Sequence, residues 1–327
     1  MIFLLKLAGR HARLVLAAGV LLGLFLPGLG DILGPVLQIM VVLVLSVAMV
    51  RVELVQVLTH LKKPIRLSLL IFFLMILFPV AIHWIAVFLE LDPVLHLAVV
   101  LVACAPPLAS APNMAVLLNQ DDALVLNVMV IGTLIVPFTV PFLTSSFLEL
   151  PLDIDPTSLF LRLAATVFIA ILLAALIRHF VGQERIQKNL ELYDGISAVI
   201  MLLFAIVIMN GIGLQENGDK DIFLVTLITA FASNWGVHLF FLGLFISINI
   251  IMRKKPVSPS RSQGATALMM GSRNAALFMA ALPAETLQSL LLFIALVQFP
   301  IYLTPLAATP LYRGLDLWRQ KTLPSGS

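Results

Sequence analysis

The chain is 327 residues long, and 61% of its residues are hydrophobic while only 11% are charged. This composition excludes a soluble globular protein and indicates an integral membrane protein, because a membrane-spanning helix needs about 20 mostly apolar residues. The formal net charge of +3 gives no support to nucleic-acid binding, since the basic residues follow the joints between apolar segments.

Taken in chain order, the apolar segments predict an all-α protein with ten transmembrane helices and short polar joints. The first segment follows the N-terminus without an obvious small-residue cleavage site, which favours a retained helix over a signal peptide. The predicted spans are residues 10–28, 33–50, 66–89, 94–118 with a break, 122–144, 157–180, 192–213, 221–252, 262–283 with a break, and 286–309.

The basic residues concentrate on one side of the predicted membrane. Of 20 Lys and Arg residues, 17 lie in the N-terminal segment, in alternate joints and after the last span. Arg162 and Lys220 lie on the other side, and Arg273 lies inside a span. The positive-inside rule therefore predicts a multi-pass protein of the cell (inner) membrane, with both termini in the cytoplasm and residues 313–327 as a cytoplasmic tail.

The two interrupted spans resemble each other. Each has an asparagine entering a short apolar half-helix, and Asn113 and Asn274 are 274 − 113 = 161 residues apart. The following span carries a proline pair in both halves, Pro137 with Pro141 and Pro300 with Pro305. An odd number of helices inverts the second copy, so we expect two inverted five-helix repeats, residues 1–156 and 157–312, with broken crossing helices 4 and 9. Chance similarity between short apolar strings is the alternative.

Proline forces the first break. Pro106, Pro107 and Pro112 remove backbone donors and clash with the preceding turn. Inside hydrocarbon, an interrupted helix survives only where the protein or a wet cavity satisfies its backbone. Half-helix N-termini and C-termini at such a break can hold anions and cations.

The segment from Ala103 to Asn113, followed by Asp121–Leu124 and Thr133–Pro137, resembles the bile acid:sodium symporter family. The segment from Gly271 to Leu277 resembles the family's second signature. The resemblance implies a panel of helices 1, 2, 6 and 7, a core of helices 3–5 and 8–10, and a site where the broken helices cross. It further implies a secondary active transporter that moves a small organic anion through the lipid bilayer by alternating access.

The chain departs from the sodium site that the resemblance implies. The family's ninth-helix glutamate and glutamine correspond to Met269 and Arg273, and its third-helix glutamine corresponds to Leu74. Sodium needs several oxygen ligands, and most of that set is absent here. The coupling ion is therefore open between sodium and a sodium-independent mechanism, either proton-coupled or passive. A non-transporting membrane sensor or scaffold is the alternative from another class.

Six residues near the breaks are candidate substrate ligands. An intramembrane arginine is a functional candidate by default, because its guanidinium could hold an anionic substrate or stand where bound sodium would supply charge. Pairing with a carbonyl or carboxylate of another helix is its structural alternative. The asparagines could equally bond their own backbone ends, and small hydroxyl residues commonly serve helix packing. The candidates are Ser110, Asn113, Thr133, Ser272, Arg273 and Asn274.

Other polar residues have simpler explanations. Asp121 and Asp122 suit the N-terminus of the fifth helix as capping residues. His83 and His238 lie in apolar spans, where a lone histidine is more often packed and hydrogen-bonded than functional. No nucleotide loop, metal-ligand cluster or nucleophile constellation is visible, so we expect neither an enzyme nor a bound cofactor or metal. The sequence does not indicate the oligomeric state.

Overall fold

The computed structural model describes residues 2–50, 64–147, 155–213, 220–253 and 258–322. These residues form helices and no strand. The predicted charged joints within 51–63, 148–154, 214–219 and 254–257, and residues 323–327 of the predicted tail, lie outside this description. The helices are α1 Ile2–Arg10, α2 Ala12–Phe25, α3 Pro27–Leu33, α4 Leu37–Val50, α5 Pro64–Phe72, α6 Phe78–Phe88, α7 Pro93–Cys104, α8 Ala111–Leu117, α9 Asp122–Pro141, α10 Pro156–Val181, α11 Gln183–Lys188, α12 Leu190–Gly213, α13 Lys220–Phe231, α14 Val237–Arg253, α15 Arg261–Gly271, α16 Ala276–Ala281 and α17 Ala284–Thr322.

Seven continuous helical stretches in the described ranges are long and apolar enough to cross a membrane. The three predicted spans missing from this set are 10–28, 94–118 and 262–283, where the helices are shorter or interrupted. The seven stretches are Gly28–Val50, Ile65–Phe88, Asp122–Ser145, Pro156–Val181, Leu190–Met209, Lys220–Met252 and Ala284–Gln320.

Two of the long stretches contain a π-helical segment of five residues. The segment Phe73–Leu77 joins α5 to α6, and the segment Ala232–Gly236 joins α13 to α14. A π-helical turn disturbs the regular i→i−4 pattern, so it can free backbone groups for partners outside the helix. Both segments contact the region of the helix breaks through hydrogen bonds described below.

Helix ends at the membrane surface are capped by short polar side chains, as predicted for Asp121. Its carboxylate accepts a hydrogen bond of 3.0 Å from the backbone N–H of Leu124. It also accepts one of 2.6 Å from the hydroxyl of Ser262 in α15. The cap therefore ties the start of α9 to the start of α15.

The last helix continues through Thr322, well beyond the predicted end of the tenth span at residue 309. The guanidinium of Arg319 donates to the carbonyl of Pro259 at 3.0 and 2.8 Å and forms a 2.8 Å ion pair with Asp316. These contacts hold the added turns against the chain that leads into α15.

Helices α2 and α12 pack with their backbones close together. A Cβ atom added at Gly19 would lie 2.8 Å from the carbonyl oxygen of Leu202, and one added at Gly23 would lie 2.6 Å from Cβ of Met209. Small residues at this four-residue spacing allow such close approach in membranes. The first helices are thereby fixed to α12 on one side of the protein.

A crossing of two broken helices beside a cavity

The two helix breaks contact each other directly. The first separates α7 from α8 and the second separates α15 from α16. Their extended segments run antiparallel, with Pro107 opposite Arg273. The backbone N–H of Leu108 donates to the carbonyl of Ser272 at 2.9 Å, and that of Asn274 donates to the carbonyl of Pro106 at 2.8 Å. Each break therefore satisfies backbone groups that the other leaves open.

The side chain of Arg273 is almost completely buried, with 1% of its surface exposed. Its guanidinium donates to three carbonyl oxygens, at 3.0 Å to Ala105, 3.1 Å to Leu74 and 3.3 Å to Met270. Its Cζ also lies 5.0 Å from the ring centroid of Phe78, within the range of a cation–π interaction. Among the described residues, the ion pairs that form do not include Arg273.

The three acceptors share a physical property, since each belongs to backbone at an irregularity. Ala105 follows the last residue of α7, and Met270 lies in the last turn of α15, where helical carbonyls lack an intrahelical donor. Leu74 lies in the first π-helical segment. A guanidinium has five donors and no acceptor, so it suits a site of converging carbonyls.

The second π-helical segment supports the end of α15. The side-chain amide of Asn234 donates to the carbonyl of Gly271 at 2.7 Å, and Asn234 is 1% exposed. Its amide oxygen accepts from the hydroxyl of Thr304 at 3.4 Å. The indole of Trp235 donates to the carbonyl of Pro300 at 3.0 Å. These contacts connect the second break to α17.

A cavity with about 590 Å³ of empty volume, including its opening, lies beside the crossing. Its polar lining side chains are those of Ser110, Asn274, Gln298 and Tyr302, apart from Arg273, whose guanidinium donates to the carbonyls described above. The Tyr302 hydroxyl is buried and lacks a hydrogen-bond partner among the described residues. Apolar side chains from α4 and α12 complete the lining, including Val41, Leu45, Met201 and Phe204.

The structure brings three of the six predicted site residues to this cavity: Ser110, Arg273 and Asn274. The other three have different surroundings. The Thr133 hydroxyl donates to the carbonyl of Met129 in its own helix at 2.7 Å. The Ser272 hydroxyl is buried without a partner among the described residues. The side-chain amide of Asn113 donates to the carboxylate of Asp194 in α12 at 3.4 Å.

Sequence reasoning missed Gln298 and Tyr302. Both are neutral residues within a long apolar helix, where they form no motif with neighbouring residues. The available signal is their spacing of four residues, which places them on one face of α17. The predicted packing role of His238 is confirmed, because its Nε2 lies 2.8 Å from the hydroxyl of Tyr312, which donates to the carbonyl of Gly264 at 2.9 Å.

Interrupted helices that meet beside a cavity, inside a bundle of apolar helices, define a multi-pass membrane protein with the geometry used by transporters. The family model described as Sodium Bile acid symporter family matches residues 38–216. This match covers 216 − 38 + 1 = 179 of the 327 residues, and the chain belongs to this family. The matched range includes the first break and ends before the second. No individual curated protein matches the chain at a significant level. The family that the motifs predicted is thereby confirmed, and it is a family of transporters rather than enzymes.

Proposed function

We propose that the protein is a secondary transporter that carries a small organic anion by alternating access. The observation that carries this proposal is the crossing itself, because two broken helices bond to each other beside a cavity that three of the predicted site residues line. In this proposal both termini lie in the cytoplasm, and the substrate binds between the crossing and the α4–α12 side of the cavity.

The spacing of irregular elements supports two inverted repeats, residues 1–156 and 157–312. The two π-helical segments begin 232 − 73 = 159 residues apart. The helices that follow the breaks begin at Asp122 and Ala284, which are 284 − 122 = 162 residues apart. Together with the offset of 161 between Asn113 and Asn274, these values agree within three residues. A duplicated five-helix unit explains such agreement, whereas unrelated helix irregularities would not keep one offset.

We infer that transport does not require sodium. The guanidinium of Arg273 stands among three carbonyl oxygens, which are the type of ligand that a hard cation such as sodium needs. A second cation in the same place would be repelled, because two unit charges 4 Å apart cost roughly 4 kcal/mol at an effective dielectric of about 20. The arginine thus supplies permanently the positive charge that a bound ion would supply transiently.

The substrate contacts that we propose are neutral. Asn274, Gln298 and Tyr302 offer hydrogen bonds to an anionic or hydroxylated group, while Val41 and Phe204 face an apolar part of the ligand. Arg273 acts from behind the crossing through its charge, since its donors already bond to carbonyls. Asn113 takes a different part, because its amide links α8 to α12.

The test combines ligand binding with transport. Purified protein is screened by thermal shift against cholate and a series of small carboxylates, in sodium, potassium and choline chloride, because a ligand of the folded state raises its melting temperature. Uptake of the best ligand into proteoliposomes is then measured with sodium replaced by choline. Wild-type uptake should persist, and Arg273→Gln should weaken binding of the anion.

Two comparisons make the result decisive. Combining Met269→Glu with Arg273→Gln restores an anionic ligand and removes the tethered cation, so this variant should gain a response to sodium. The exposed Arg162 provides a matched control, and Arg162→Gln should behave as wild type. Collapse of wild-type uptake in choline would overturn the sodium-independent mechanism. Absence of any ligand-dependent shift or uptake across the series would count against transport of an organic anion.

A further inference from the structure

A pair of histidines lies at the end of the α6–α7 hairpin that is remote from the helix break. His83 is in the last two turns of α6, and His96 is in the first turn of α7. The Nε2 atom of His96 lies 3.1 Å from the Nδ1 atom of His83, and the two ring centroids are 4.9 Å apart. The hairpin therefore brings two imidazole nitrogens from different helices to one point, and nothing in the crossing uses them.

We propose that His83 and His96 form a binding site for a divalent transition-metal ion such as Cu²⁺ or Zn²⁺. Imidazole nitrogens bind such ions at about 2.0–2.1 Å, so two ligands at right-angle to tetrahedral positions lie about 2.9–3.4 Å apart. The observed 3.1 Å lies inside that range. Metal binding replaces the hydrogen bond between the rings, and small rotations of both rings direct the two nitrogen lone pairs to the ion.

The surroundings favour a cation. The adjoining loop carries Glu90 and Asp92, both exposed, and Asp92 also caps α7 by accepting from the N–H of Val94 at 2.9 Å. The sequence contains no Lys or Arg between Arg66 and Arg162. Both histidines are half-buried, so the site is reachable from the loop end of the hairpin. An approaching metal ion therefore meets negative charge and no competing basic side chain from the hairpin.

The chemistry of the donors sets the expected selectivity. No group of three or more His, Cys, Asp or Glu residues suited to a metal occurs in the part of the chain that the structure describes, so water completes the coordination sphere. Affinity should follow the order of divalent metals for imidazole, with Cu²⁺ above Ni²⁺ and Zn²⁺. Mg²⁺ and Ca²⁺ prefer oxygen ligands and should not bind there.

The site would stabilise the hairpin that serves the crossing. The stretch containing α6 provides the Leu74 carbonyl, and α7 leads to the Ala105 carbonyl, which are two of the three acceptors of Arg273. An ion that joins α6 to α7 at their other end holds these two acceptors in a fixed relation. The inference stands apart from the identity of the transported substrate.

The experiment uses the full chain, purified without a polyhistidine tag and titrated with Cu²⁺. The indole of Trp84 lies 5.5 Å from the His83 ring, so bound Cu²⁺ should quench its fluorescence. Calorimetry with Zn²⁺ measures stoichiometry independently, with one ion per chain expected. Binding should weaken below about pH 6.5, because a metal needs the neutral imidazole.

Variants locate the site. His83→Ala and His96→Gln should each weaken binding by about tenfold or more, and glutamine keeps hydrogen-bonding capacity without acting as a metal ligand of this class. His179→Ala removes an exposed histidine elsewhere and should leave binding unchanged. Trp84→Phe should lose the fluorescence response while it keeps the calorimetric stoichiometry. Wild-type protein without Cu²⁺ or Zn²⁺ binding, or binding that survives both His83→Ala and His96→Gln, would overturn the proposal.

Discussion

The first break contains Pro106 and Pro107, which remove two backbone donors, whereas the second contains Arg273, whose side chain adds five. Both segments are non-helical and they bond to each other, yet their chemistry is opposite. One interrupts its helix by taking hydrogen bonds away, and the other supplies hydrogen bonds to backbone left open in three places.

This difference shows that breaking a helix inside a membrane and sustaining the break are separate tasks. Buried carbonyls without donors are costly where water cannot reach them. The first break therefore depends on donors that come from elsewhere, and Arg273 is the main supplier for the carbonyl of Ala105. We expect substitutions at the second break to affect stability more than substitutions at the first.

The largest effect should come from Arg273→Met, which keeps an apolar stem and removes every side-chain donor. Three buried carbonyls lose their partner, so the free energy of unfolding should fall by about 3–5 kcal/mol, with Arg273→Lys intermediate because it lacks the planar fork. The measurement is thermal unfolding in detergent, with Arg162→Met as control. Equal melting temperatures for the two methionine variants would show that the guanidinium does not sustain the crossing.

An intermediate effect is expected for Gly271→Ala, at the end of α15. The new Cβ would overlap the carbonyl oxygen of Asn234 and lie 3.0 Å from Cβ of His238. Such crowding costs about 1–3 kcal/mol of folding stability. Gly243→Ala is the matched control, because a Cβ there meets nothing within 4 Å. If both alanine variants unfold at the same temperature, the packing of α14 against α15 is looser than the structure indicates.

The smallest effect should come from Pro112→Ala at the first break. Pro112 occupies the first turn of α8, where a backbone N–H has no intrahelical acceptor in any case. The change should alter the free energy of unfolding by less than about 1 kcal/mol, chiefly through the unfolded chain. Pro156→Ala at the start of α10 has the same local role away from the crossing and is the control. A loss for Pro112→Ala as large as that for Arg273→Met would reverse the comparison.

Local features of the sequence predicted much of this architecture. The proline run located the first break, and the placement of Asp121 predicted its capping role, because both effects act within a few residues along the chain. The motifs around Cys104 and Asn113 identified the family. The continuation of α17 to Thr322 was not predicted, because it depends on the contact of Arg319 with Pro259.

The sequence by itself determined that this is a helical membrane protein, where its first helix break falls, and that a permanent charge lies within the second. Only the tertiary structure decided what that charge contacts, because Leu74 and Ala105 are 199 and 168 residues away from Arg273 along the chain. Backbone carbonyls are the same in every residue, so no residue type marks those acceptors in advance. The acceptors become specific only when the folding of distant helices leaves certain carbonyls without donors and brings them to one guanidinium.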